Sequence, residues 1–337
     1  MTDSPPDPGI VAAGADTPAP GAPATAAPVA ATPVAAPVAK PPITLATRLS
    51  YYEKLMRLDR PVGILLLLWP ALWALWFASN GQPDMVLVWM FVLGAALMRS
   101  AGCVVNDIAD RDFDRHVART RDRPITAGLV GVKEALALAL LLTLLAGCLV
   151  LMMGTLTIIL SVFALVFAFT YPFTKRFFAV PQAYLGVAFG FSIPMAWSAS
   201  QGLTAIGELP ALVWVLMLAN VFWAIAYDTA YAMVDRDDDL RIGIRTSAIT
   251  FGRFDVIGIA IAHGLFLFTM IVAGVMAGCG AVYFAGLLAT AALARWQVRL
   301  CATREPQHCF RAFMNNVVVG GVILAGIVLD SHFHLAL

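Results

Sequence analysis

The sequence predicts an all-α polytopic membrane protein of about nine transmembrane helices, and three observations carry that expectation. The chain is 60% hydrophobic and only 13% charged, with a mean hydropathy of +0.82, well outside the range of soluble domains. Its apolar residues fall in continuous runs close to the roughly 20 residues that cross a hydrocarbon core about 30 Å thick, not in the alternation of an outer-membrane barrel strand. Its basic residues keep to one side of the resulting topology.

Residues 1–45 are a Pro/Ala tract with scattered Asp3, Asp7 and Asp16. They hold no apolar run for a signal sequence and no Arg-rich amphipathic pattern of a transit peptide, so a disordered tail is expected, followed by a membrane domain over 46–337. Between Thr44 and Asp59 aromatic, charged and apolar residues mix, which suggests an interfacial helix. The spans follow at 61–79, 85–105, 133–151, 155–172, 180–200, 210–229, 256–276, 279–295 and 315–331. With the N-terminus inside, the outer loops 80–84, 152–154, 201–209 and 277–278 contain no Lys or Arg. All 22 basic residues then lie on the cytoplasmic side or toward its helix ends, as the positive-inside rule requires. That topology explains the basic residues, so the net charge of +1 carries no sign of a nucleic-acid partner. The five cysteines show no C-x-x-C spacing, and reduced structural thiols are expected.

Two acidic clusters stand where apolar runs end on the cytoplasmic side. The first is Asn106-Asp107-Ile108-Ala109-Asp110-Arg111-Asp112-Phe113-Asp114; the second runs from Asp228 to Asp235-Arg236-Asp237-Asp238-Asp239. Carboxylates this dense beside membrane spans are costly unless they face a cavity or a cation. Helical spacing puts Asn106, Asp110 and Asp114 on one face, and Asp228, Asp235 and Asp239 on another. Asp112 points the opposite way, and Asp237 and Asp238 point to solvent or Arg241. Solvated charge at helix ends is the plain alternative. Against it, Asp110–Asp114 resembles Asp235–Asp239, and Ile125-Thr126-Ala127-Gly128 resembles Ile249-Thr250-Phe251-Gly252 at nearly the same offset. Two helix–loop units facing one cavity, holding Mg²⁺ and through it phosphate, are therefore expected. Arg119, Arg121, Arg123 and Lys175-Arg176 would complete a diphosphate site. Arg99 lies inside the second span, where a cation needs a specific partner.

These motifs resemble the UbiA superfamily of intramembrane prenyltransferases. Within it, Leu65–Pro70, Arg99–Asp107, Tyr171–Arg176, Ser192–Met195 and Phe313–Asn316 are similar to the 4-hydroxybenzoate polyprenyltransferases of ubiquinone biosynthesis. The resemblance runs from about 47 to 330 and leaves out the tail. It implies nine helices around a central cavity, in a bacterial inner membrane, with the prenyl tail reaching lipid through a lateral opening. It implies that Asn106, Asp110, Asp114, Asp228, Asp235 and Asp239 engage two Mg²⁺ ions and the polyprenyl diphosphate, with Asp110, Asp114, Asp235 and Asp239 central to catalysis. Arg123 and Lys175 would contact the diphosphate. Arg99, Arg176 and Ser192 would position 4-hydroxybenzoate, and Asp235 is the candidate to accept its phenolic proton. A haem or naphthoate prenyltransferase is the nearest alternative, and a cation transporter a distant one, since transporter acids lie near the midplane. Gly186-x-x-x-Gly190 and Gly274-x-x-x-Gly278 are expected to serve close helix packing.

Overall fold

Apolar periodicity becomes long helices joined by short capped turns. The computed structural model describes residues 44–115, 120–174 and 177–335. The expected tail (apart from Thr44 and Leu45), Arg119, Lys175 and Arg176 lie outside the described residues. The helices are α1 (Leu45–Met56), α2 (Val62–Ala78), α3 (Met85–Ala109), α4 (Arg111–Asp114), α5 (Val132–Val150), α6 (Thr155–Thr174), α7 (Pro181–Gly190) and α8 (Ser192–Gln201). They continue as α9 (Ala211–Ala232), α10 (Arg236–Ile242), α11 (Ser247–Phe251), α12 (Asp255–Met276), α13 (Ala281–Ala302) and α14 (Pro306–Leu335). No strand occurs among the described residues.

Among the described residues, seven helices are long and apolar enough to cross a membrane. The 17-residue α2 and the α7–α8 pair occupy the other two predicted spans, an arrangement compatible with nine crossings. The predicted span 180–200 divides at Phe191 because Pro194 has no N–H to donate to Gly190 four residues earlier. The acidic ends of α3 and α9 continue the helix past the apolar run, to Ala109 and Ala232. The interfacial helix is α1, but it opens at Leu45, with Thr44 Oγ1 accepting from Thr47 N at 3.2 Å, so helix begins at the last residue expected in the tail. Its Arg48 and Tyr52 both donate to Glu134 on α5.

Helix α9 packs along α12 and α7, α13 along α14, and α3 along α5. At the centre Trp73 and Trp223 meet at 5.2 Å between ring centroids, and Phe266 stacks on Trp223 at 5.8 Å. All three side chains are buried. The indole N–H groups find acceptors as burial requires: Trp73 donates to Gly320 O at 3.1 Å and Trp223 to Asn316 Oδ1 at 2.8 Å. Asn316 in turn donates to Gln297 Oε1 at 3.1 Å, tying α9, α13 and α14 together.

Glycines let the backbones approach. A Cβ at Gly186 would lie 2.7 Å from Val221 Cα, and one at Gly190 3.1 Å from Met217 Cγ, so this pair seats α7 on α9 as expected. Gly274 makes room for the Tyr283 ring, but Gly278 does not pack. It sits at φ +70° with open space around its Cα, and its role is the left-handed turn after α12.

Candidate active site

The first acidic stripe survives a break in its helix. Asp110 ends α3 with φ −94° and ψ 0°, and α4 restarts at Arg111. Asp110 N still donates to Asn106 O at 2.9 Å, and Asp114 N to Asp110 O at 2.8 Å. The four-residue spacing is therefore kept, and Asn106, Asp110 and Asp114 share a face as predicted. Asn106 Nδ2 donates to Asp110 Oδ2 at 3.1 Å. Asp112 is exposed beside Arg111 and Arg115. Asp107, to which the sequence assigned no role, is fully buried and accepts from Arg57 at 2.8 Å and Arg123 at 3.1 Å. Arg123 Nη1 also reaches Asp114 Oδ2 at 2.7 Å. Burial pushes the Asp114 carboxyl above its usual range, and Arg123 opposes that shift.

The second stripe is built the same way. Asp228 lies in the last turns of α9, Met233 and Val234 turn the chain, and Asp235 precedes α10 with φ −100°. Asp239 N donates to Asp235 O at 2.9 Å, so these two acids stack one turn apart. Asp228, Asp235 and Asp239 are each half-buried. Asp237 is exposed, and Asp238 faces Arg241 at 3.5 Å, both as expected.

The ends of α3, α6 and α9 converge. Tyr171, near the end of α6, lies within electrostatic reach of Asp228 and Tyr227 on α9 and of Asp110 and Arg99 on α3. The Tyr227 hydroxyl is buried and has no hydrogen-bond partner among the described residues; Asp228 and Arg99 lie within its electrostatic reach. Arg99 is half-buried, donates to Cys103 Sγ at 2.9 Å and forms no ion pair among the described residues. Its guanidinium lies against Gly63 of α2, where a Cβ would sit 2.2 Å from Arg99 Nε. Tyr171, Tyr227, Arg57 and Gly63 carried no assigned role in the sequence reading. The two tyrosines had a signal, since Tyr171 opens the recognised Tyr171–Arg176 segment and Tyr227 directly precedes Asp228; Gly63 and Arg57 had none. Arg121 is exposed and pairs with Asp122 at 3.9 Å. The Ser192 hydroxyl donates to Phe189 O at 2.8 Å, across the break between α8 and α7.

Ser192 also lines an apolar cavity of ≈ 190 Å³ among α2, α3, α5, α6, α7 and α8. Its wall includes Gly94, Met98, Gly147 and Ala168. In sequence, Met98 adjoins Arg99 and Ala168 lies one turn before Tyr171.

Among the described residues no three acidic, His or Cys groups converge tightly enough to grip a metal alone. The oxygen donors of the two stripes fit Mg²⁺ on those terms, because that ion takes one or two carboxylates, several waters and the oxygens of a phosphate substrate.

The sequence pattern of the UbiA prenyltransferase family matches residues 67–318. A 4-hydroxybenzoate octaprenyltransferase of Thiobacillus denitrificans is 60% identical over 293 residues, covering 87% of this chain and 98% of that protein. Among solved structures, a UbiA homologue from Aeropyrum pernix in its apo form superposes with a TM-score of 0.71 at 24% identity, covering 79% of this chain and 97% of that one. A UbiA homologue from Archaeoglobus fulgidus bound to GPP and Mg²⁺ superposes with a TM-score of 0.57 at 15% identity, covering 85% and 100%. Two acidic stripes on a bundle of membrane-length helices, and a match spanning most of the chain, lead to one conclusion: the chain belongs to the UbiA prenyltransferase family.

Proposed function

We propose that this protein transfers a polyprenyl group from polyprenyl diphosphate to the ring of 4-hydroxybenzoate, ortho to the hydroxyl, for ubiquinone biosynthesis. The reading is carried by the Thiobacillus relative, which matches along nearly its whole length and is named for that substrate. The protein would work in a bacterial inner membrane with its N-terminus and both acidic stripes on the cytoplasmic side, and with membrane lipid around its helices.

In this reading Asn106, Asp110 and Asp114 on one side, and Asp228, Asp235 and Asp239 on the other, hold Mg²⁺. The ion would neutralise the departing diphosphate. Arg123 and Lys175 stabilise the same charge. Only Nη1 of Arg123 is used by Asp107 and Asp114, which leaves other N–H donors of the guanidinium for phosphate oxygens. The carbon–oxygen bond breaks with both electrons going to the diphosphate, leaving an allylic cation. The ring carbon ortho to the hydroxyl attacks that cation, a carbon–carbon bond forms, and the ring proton at that carbon is lost. Asp235 accepts the phenolic proton and so makes the ring more nucleophilic. Arg99 and Arg176 hold the carboxylate of the acid, with Ser192 at the mouth of the cavity. The isoprenoid chain suits the apolar cavity beyond Met98, whose walls keep out water that would quench the cation.

The test is to incubate purified protein with 4-hydroxybenzoate and prenyl diphosphates of several lengths, with Mg²⁺ and with a chelator. Mg²⁺-dependent formation of 3-polyprenyl-4-hydroxybenzoate is expected. Absence of that product at every chain length would defeat the reading.

A further inference from the structure

Each acidic stripe is anchored by a second, fully buried aspartate that does not belong to it. Asp107 holds Arg57 and Arg123, and Arg123 in turn holds Asp114. At the other stripe the anchor is Asp255, the first residue of α12 and fully buried. Its Oδ1 accepts from Arg304 Nη2 at 2.7 Å, and its Oδ2 from Arg236 Nη1 at 3.2 Å and Arg304 Nε at 3.3 Å. Arg236 directly follows Asp235 and opens α10.

The two anchors share a further feature. Each is gripped by an arginine that follows a helix in left-handed backbone, Arg57 at φ +57° and Arg304 at φ +55°. L-residues other than Gly, Asn and Asp seldom adopt that conformation, so holding it twice needs compensation from surrounding contacts. Arg304 supplies it with a third bond, from Nη2 to Arg253 O at 2.9 Å. The anchors hold different places relative to their motifs in sequence: Asp107 lies inside the first cluster, whereas Asp255 follows the second, well after Asp239. The sequence similarity of the two motifs therefore does not account for them.

We infer that Asp255, clamped by Arg304, is a positioning residue that acts through Arg236 to hold Asp235 and Asp239 in the geometry that binds the metal–diphosphate. This rests on the proposed function for the identity of the ligand. The clamp fixes Arg236, the first residue of α10, and with it the directions of Asp235 just before that helix and Asp239 within it. Its surroundings stiffen it, since Ala248, Ile259, Cys301, Cys309 and Ala312 are buried together in the adjoining apolar cluster. In so dry a setting a carboxylate gripped by two arginines is strongly localised. Losing a partner that orients a ligating carboxylate typically costs about 10- to 100-fold in metal affinity.

The experiment compares wild type, Arg304→Gln, Arg304→Lys and Asp255→Asn as full-length protein in detergent. Mn²⁺ binding followed by EPR gives a readout independent of turnover. Arg304→Gln should weaken Mn²⁺ binding by about 10- to 100-fold. It should raise the Mg²⁺ activation constant and the KM for prenyl diphosphate, and leave the KM for 4-hydroxybenzoate unchanged. Arg304→Lys should recover part of the loss. Arg304 is half exposed and Arg236 still pairs with Asp255 in its absence, so this variant keeps the test decisive where Asp255→Asn does not fold. Lower thermal stability with unchanged Mn²⁺ affinity would overturn the inference. A wild type that binds Mn²⁺ but does not prenylate 4-hydroxybenzoate would defeat the proposed function, while the comparison of Mn²⁺ affinities would still decide the clamp.

Discussion

Replacing Gly63 with Ala should weaken binding of the aromatic acid without removing any charged group. The new Cβ would lie 2.2 Å from Arg99 Nε, 2.6 Å from Nη2 and 2.8 Å from Cζ. Ordinary contact begins near 3.4 Å, so Nε must retreat by about 1.2 Å, the difference between 3.4 and 2.2 Å. The obstructing atoms are the end of a flexible side chain, so the guanidinium moves and the helices stay. A shift of that size takes a charge-assisted hydrogen bond beyond bonding distance, forfeiting about 1.5–3 kcal/mol, or roughly 10- to 150-fold in affinity. Residual Coulomb attraction places the expected rise in KM for 4-hydroxybenzoate near the lower end, and Arg99→Ala near the upper. Stability should move the other way, because Gly→Ala within a helix gains about 0.5–1 kcal/mol. Steady-state kinetics with each substrate varied, paired with thermal unfolding in detergent, reads both effects. An unchanged KM for 4-hydroxybenzoate, or an equal rise for both substrates, would refute a carboxylate-binding Arg99.

Asp110→Ala and Asp235→Ala should each abolish turnover in protein that still inserts and folds, since each removes a half-buried acid from one stripe; normal activity in either would refute the two-stripe site. Gly320→Ala would bring a methyl within 2.1 Å of Trp69 Cδ1. The indole is rigid and wedged between α2 and α14, so thermal unfolding should show a loss of about 1–3 kcal/mol from overpacking. Deleting residues 2–43 should leave insertion and turnover intact, because that Pro/Ala segment precedes every recognised motif; a large fall in kcat would show that it contributes to the site.

The helices were legible because a bilayer leaves a chain little choice. Continuous apolar runs of the right length must be helical when no water is present to satisfy the backbone, and each predicted span finds its helix. The acidic stripes were legible for a related reason: local four-residue spacing survives the short break at Asp110 because the backbone bonds on both sides of it persist, and Asp239 N likewise bonds Asp235 O. The break at Phe191 was legible too, in Pro194, yet the continuous apolar character of 180–200 outweighed it. What spacing could not supply was contact between distant segments. Arg57 reaches Asp107 across 50 residues and Arg304 reaches Asp255 across 49, and nothing local marks either arginine among the many that topology places on this side.

Positive-inside topology explains why arginines are here, but not why these arginines are bonded. Among the described residues Arg60 and Arg121 form ion pairs with their sequence neighbours alone, at 3.5 and 3.9 Å, with side chains mostly exposed. Such contacts contribute little, since solvent screens them. Arg57, Arg123, Arg236 and Arg304 converge instead on two carboxylates with essentially no exposure. There, each carboxylate is held by two arginines, and only the loss of both would leave a buried charge uncompensated. A membrane protein seeking stability alone could have filled both positions with apolar residues. The choice of buried aspartates makes sense if what they secure is direction: each fixes an arginine that adjoins or grips a stripe acid, Asp114 through Arg123 and Asp235 through Arg236. The stripes must hold several like charges near one another before substrate arrives, and rigid arginine clamps supply both the opposing charge and the fixed geometry.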